Sequence, residues 1–167
     1  MTRAALAVPM LVAAFAPSGR AADRAPGGED RCVVHAAAED RVVQGRNLAV
    51  ADPSGVRDAV AIRGDVTVRR GAVVRKAVAI GGSVAVEEGA AVTEDAIAVG
   101  GDVRVARGGR VGKDALALDG QVRAAEGAVI AGKTFSLAFS AGGESLGQKI
   151  LAELGAEGCR VVPEAGR

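Results

Sequence analysis

The chain has 167 residues, 49% of them hydrophobic, and a formal net charge of +1 from 21 basic and 20 acidic residues. Ala supplies 36 residues and Val 25, against three Phe and no Tyr or Trp. The charge balance gives no global field toward nucleic acid or an acidic membrane, one His and two Cys cannot complete an ordinary zinc site, and a core without aromatic side chains has to be narrow.

In chain order, Met1-Thr2-Arg3 precedes an uncharged stretch from Ala4 to Ala16 broken only by Pro9. That stretch suits the apolar region of a secretory signal and is too short to span a bilayer. It predicts a cleaved signal over 1–21 and a periplasmic or extracellular destination, with no transmembrane helix in the mature chain. Residues 22–41, rich at first in Pro, Gly and charge, read as a linker and N-terminal cap. The one His, His35, lies here in an Ala-rich stretch and reads as an incidental surface residue.

Residues 42–139 are a repeat. DAVAIRGDVTVRRGAVVR from Asp58 aligns with the segments beginning at Lys76, Asp95 and Asp114. Gly64, Gly82, Gly101 and Gly120 mark one position in it; Gly71, Gly89, Gly108 and Gly127 mark another. A finer period of six or seven residues places Val68, Val74, Ile80, Val86, Val92, Val99, Val105, Val111 and Leu118 in series. Most have an apolar partner two residues earlier, as in Val60, Val78, Ile97 and Leu116, and apolar residues at i and i+2 share one face of a strand. Each hexad is then a short strand facing the core, followed by a bend, and three hexads make one triangular coil. The fold is predicted all-β: a parallel β-helix of about five coils of 18–19 residues, roughly 24 Å long at the usual strand spacing. Arg70, Glu88, Arg107 and Glu126 alternate in sign at one position, as do Lys76, Glu94 and Lys113 at another. Sign alternation points to ladders that fix the stacking register.

The Gly-Asp-Val-x-Val-x-x-Gly-Ala-x-Val pattern at Gly64–Val74 resembles the bactofilins, bacterial polymer-forming cytoskeletal proteins, over about residues 44–138. The resemblance implies a right-handed triangular β-helix that stacks end to end without nucleotide. It brings no catalytic motif. Bactofilins are generally cytoplasmic and have disordered tails, whereas this sequence predicts export and an ordered end.

Phe135 and Phe139 flank Leu137 at the last coil, and these three residues are candidates for a hydrophobic lid or a polymer contact. Residues 140–167 form a C-terminal amphipathic helix and tail. Ser145 with Gln148 has the form of a capping box, and Leu146, Ile150, Leu151 and Leu154 follow at helical spacing. So short a helix must dock, either over the last coil or along the rod. Cys32 and Cys159 bracket the solenoid. In an exported chain an even pair suggests a disulfide, with Val33-Val34 and Arg160-Val161-Val162 pairing as short strands beside it. Free or intermolecular thiols are the alternative.

No nucleophile–base pair can be nominated, and no cofactor, metal or catalytic residue is expected. Asp65 and Asp102 read as turn residues that bond their own backbone. Two functions remain. One is a non-enzymatic structural solenoid, an exported scaffold or self-polymerising protein of the cell envelope. The other is a monomeric binding module that recognises a cell-wall or protein partner through flat charged faces.

Overall fold

The computed structural model describes residues 33–138, 140–141, 144–145, 149–150, 152 and 160–163. The chain runs through β1 (Val33–Ala36), β2 (Arg41–Gln44), β3 (Leu48–Val50), β4 (Val56–Ile62), β5 (Val66–Val68) and β6 (Val73–Ile80). It continues through β7 (Val84–Val86), β8 (Ala91–Val92), β9 (Ala96–Val99), β10 (Val103–Val105), β11 (Arg110–Val111) and β12 (Ala115–Leu118). Last come β13 (Val122–Ala124), β14 (Val129–Ile130), β15 (Thr134–Leu137), β16 (Ser140–Ala141), β17 (Glu144–Ser145) and β18 (Arg160–Pro163).

These strands wind into a parallel β-solenoid. One face stacks β3, β5, β7, β10 and β13. A second stacks β2, the latter part of β4 and of β6, then β9, β12 and β15. The third is built from the beginnings of β4 and β6, then β8, β11 and β14. Five coils result, and β15 opens a sixth. The register steps by 18 residues at Asp58↔Lys76 and by 19 at Ala96↔Ala115, as the spacing of the repeat glycines predicts.

The two glycine columns have different physical causes. A Cβ on Gly64, Gly82, Gly101 or Gly120 would lie 2.2, 2.3, 2.4 or 2.0 Å from a carbonyl oxygen of the preceding coil, so any side chain would wedge the coils apart. Gly71, Gly89, Gly108 and Gly127 instead have positive φ, between 69° and 79°, in the tight turn between the first and third faces. Glycine adopts that conformation without steric cost.

The core is the inside of this tube. The first face sends in Val66 and Val68, Val84 and Val86, Val103 and Val105, all but fully buried. The third sends in Val74, Val92 and Val111, with Ala72 and Ala90 at the corner. On the second face the strand phase is the reverse of the one expected. Ala59, Ala61, Ala77, Ala79, Ala96, Ala98, Ala115 and Ala117 point inward and are 0% exposed. Val60, Val78, Ile97 and Leu116, with Ile80, Val99 and Leu118, are instead only partly buried and lie outside the core cluster. Alternation of Ala with Val or Ile is apolar in either phase, so hydrophobicity alone cannot choose between them. Space chooses: two faces already fill the tube with Val, and what remains accepts a methyl group. The larger residues therefore form two outer rows, Val42-Val60-Val78-Ile97-Leu116-Phe135 and Gln44-Ile62-Ile80-Val99-Leu118-Leu137.

Beyond the solenoid, β16 and β17 form an antiparallel pair in which Ser145 lies opposite Ser140, and Lys149, Ile150 and Ala152 are helical. β18 returns to pair in parallel with β1, Val33 opposite Arg160. The sequence reading anticipated this pairing beside the cysteines.

Candidate functional site: the solenoid end and its surfaces

Phe135 and Leu137 lie in β15 and pair with Leu116 and Leu118. They extend the two outer rows sideways and are 42% and 40% exposed. The inward positions of the same strand are Thr134 and Ser136. Ser136 Oγ accepts a hydrogen bond from the Val122 N–H at 3.0 Å. The last strand thus carries hydroxyls toward the tube and apolar groups toward its flank. Val129 of β14 is 49% exposed at the same end. Phe139, the third member of the predicted contact, lies outside the described residues, as do Cys32 and Cys159. Each cysteine immediately precedes a strand residue of the β1–β18 pair, Val33 and Arg160. His35 falls in β1 opposite Val162.

Asp65 and Asp102 do something other than bond their own turns. Asn47 Oδ1 accepts the Asp65 N–H at 2.9 Å, and Asp65 Oδ1 accepts the Ser83 N–H at 2.7 Å. Ser83 Oγ accepts the Asp102 N–H at 3.2 Å, and Asp102 Oδ1 accepts the Gln121 N–H at 3.0 Å. The side chains of Asn47, Asp65, Ser83 and Asp102 each reach one coil onward, so a continuous ladder runs up one corner from Asn47 to Gln121. A shorter one joins Asp95 to Asp114 and Asp114 to Lys133. The cause is coil spacing. With coils one strand spacing apart, the next coil's N–H is as close as the residue's own. Short acceptor side chains recur in this column, and lining up the repeats would have revealed them.

Charges pair between coils over part of the alternating series, with no ion pair joining Arg107 to Glu88 or Glu126 among the described residues. Arg70 meets Glu88 at 2.8 Å, and Glu94 sits between Lys76 at 3.6 Å and Lys113 at 3.5 Å. Burial works to raise the Glu94 pKa, but Lys113, Arg75 and Lys76 outweigh it and the carboxyl ends below its ordinary value. The sequence reading missed the two-point pair of Arg75 with Asp58, in which Nη2 lies 2.6 Å from Oδ2 and Nε 3.1 Å from Oδ1. Its hydrogen bonds to Asp58 raise the Arg75 pKa.

On the first face the outward positions of β10 and β13 are Arg104 and Arg123. Both reach Asp102 Oδ2, at 2.7 and 3.5 Å. The Gln121 N–H first, then these two guanidinium groups, hold the Asp102 carboxyl below its usual range. Beside them is a shallow depression of about 380 Å³ over Ala85, Glu87, Ala106 and Ala125. The arrangement offers the cationic hydrogen-bond donors of Arg104 and Arg123 beside alanine side chains and the Glu87 carboxylate. Among the described residues no cluster of His, Cys, Asp or Glu is arranged to hold a metal ion, and no helix is long and apolar enough to cross a membrane. No protein-family model, curated protein or solved structure matches the chain.

Proposed function

We propose that this chain is a non-enzymatic structural protein, an exported bactofilin-like scaffold that polymerises through the ends of its solenoid. One observation carries the reading. β13, β14 and β15 each end a sheet, with one edge lacking a strand among the described residues, and Phe135, Leu137 and Val129 are exposed at that same end. Unpaired edges of parallel strands are templates for another chain. The first coil of a second copy would continue all three faces, and the corner ladder would continue from Gln121 of one copy to the N–H of Asn47 in the next. Polymerisation then needs no nucleotide, because main-chain hydrogen bonds and apolar burial supply the contact.

Export rests on the apolar stretch at Ala4–Ala16 and places the chain in an oxidising compartment, where Cys32 and Cys159 close into a disulfide beside the β1–β18 pair. Negative-stain electron microscopy and sedimentation of the mature chain test the proposal. Filaments at micromolar concentration, abolished by Phe135→Asp combined with Leu137→Asp, are the expected result. A sharp monomer under all salt conditions would overturn it and leave the binding module standing.

A further inference from the structure

We infer that the outer surface of the first face, where β10 meets β13, is a binding site for a linear carboxylate-bearing polysaccharide held by Arg104 and Arg123. The outward row of that face reads Ala49-Thr67-Ala85-Arg104-Arg123. Small neutral side chains fill its beginning, and two arginines stand directly opposite each other at its end. Like charges directly opposite on neighbouring strands destabilise a sheet. Elsewhere this solenoid sets opposite signs against each other, as in Arg70 with Glu88 and Lys76 with Glu94. A local break in a rule that the rest of a fold obeys is expected at functional sites.

Asp102 steadies the two cations without using them up. Its Oδ2 serves both, at 2.7 and 3.5 Å, while its Oδ1 accepts the Gln121 N–H at 3.0 Å. Gln121 Oε1 accepts from Arg123 Nε and Nη2 at 3.3 and 3.2 Å. Each guanidinium carries five N–H donors, and these contacts take only part of the set. The two side chains are 55% and 58% exposed, so the remaining donors are open to a ligand. Arg107, exposed at the turn after β10, adds a third cation. Glu87 closes the other end of the depression and is already spent: Oε1 meets Arg69 Nη1 at 3.3 Å, and Oε2 accepts the Arg70 N–H at 3.1 Å. Glu126, next to the lining residue Ala125, is then the carboxylate left to oppose three cations.

The chemistry of the surface selects the ligand. β10 is paired on both edges, by β7 and β13, so the face has no free main-chain edge on which to add an extended peptide. Recognition falls to side chains. A guanidinium pairs with a carboxylate through two parallel hydrogen bonds, and Arg104 and Arg123 start one strand spacing apart, about 4.8 Å, close to the length of one sugar ring. Ala85, Ala106 and Ala125 line the depression beside them, and their methyl groups let a flat ring lie close. Cations on two neighbouring coils make too short a stripe for a nucleic acid, whose binding depends on neutralising many phosphates. The inference stands apart from polymerisation, because the first face stays on the outside when coils stack end to end.

The test titrates the full-length chain with polygalacturonate at low salt in a calorimeter, with neutral dextran as the blank. The expected result is binding that weakens as salt rises and falls about tenfold in Arg104→Gln, the scale of one charge-assisted hydrogen bond. Arg104→Gln combined with Arg123→Gln should lose about a hundredfold on the same scale. Arg46→Gln removes the same charge in the first coil and should bind as the wild type does, and far-UV circular dichroism reports whether each variant keeps its sheet. No binding by the wild type, binding unchanged in the double variant, or an equal loss in Arg46→Gln would overturn the inference. Tighter binding of polyglutamate would overturn it in favour of an acidic protein. Tighter binding of single-stranded DNA would overturn it in favour of a nucleic acid.

Discussion

Replacing Gly101 with Ala places a methyl group 2.4 Å from the Gly82 carbonyl oxygen and 2.7 Å from Ser83 Oγ. Ordinary contact begins at 3.4 Å, so the two coils must part locally by about 1 Å. The obstacle is backbone and cannot swing aside. Three inter-coil hydrogen bonds nearby absorb that movement: Gly81 N–H to the Val99 carbonyl at 2.7 Å, Val84 N–H to the Asp102 carbonyl at 2.9 Å, and Asp102 N–H to Ser83 Oγ at 3.2 Å. Stretched by about 1 Å they leave the bonding range. At about 1 kcal/mol each, with about 1–3 kcal/mol of overpacking strain, the expected loss is about 4–6 kcal/mol. Gly71→Ala is the control. Nothing lies within 4 Å of its Cβ and only its φ of 74° opposes a side chain, for about 1–2 kcal/mol. Urea denaturation followed by far-UV circular dichroism measures both. If Gly101→Ala falls within about 1 kcal/mol of Gly71→Ala, close coil approach is not why that column is glycine.

Ala98→Val, inward on the second face, should lose about 1–3 kcal/mol by overpacking, whereas its outward neighbour Ile97→Val should lose less than about 1 kcal/mol; equal losses would contradict the inverted phase. Asp102 has a folded-state pKa below its unfolded value, so the stability it adds is present above the ordinary carboxylate range and disappears as pH falls through the lowered value. Asp102→Asn keeps an oxygen for the Gln121 N–H but not the charge, and thermal melts from pH 6 to pH 2 should show a shallower acid dependence than wild type. Reduction of the chain produced under oxidising conditions should add two daltons if Cys32 and Cys159 are joined, and closing a loop of that length is worth about 4–5 kcal/mol in the chain-entropy estimate. Unchanged mass would remove the bond.

How much of this was legible before folding can be argued from single columns. The glycines at 18- and 19-residue spacing dictated a coil of that length, because a backbone approached that closely admits no side chain and a left-handed turn admits few. The charge alternation at Arg70 and Glu88 or Lys76 and Glu94 followed from the same register. The cysteines' neighbours were correctly seen as partners, since Val33 and Arg160 do pair. The corner ladder through Asn47, Asp65, Ser83 and Asp102 was visible as a column of short acceptors, but its direction was not. An acceptor's partner depends on which N–H is nearer in space.

The sequence by itself determined a narrow, repetitive, parallel β architecture, since Val, Ala and Gly at hexad spacing leave no other way to bury so much apolar surface without aromatic side chains. Only the tertiary structure decided which way the second face points. Ala59 with Val60, or Ala98 with Val99, satisfies a period of two in either phase, and the choice was made by the volume that two Val-lined walls left inside the tube. That choice put Val, Ile and Leu on the outside, and with them the surface most in need of a partner.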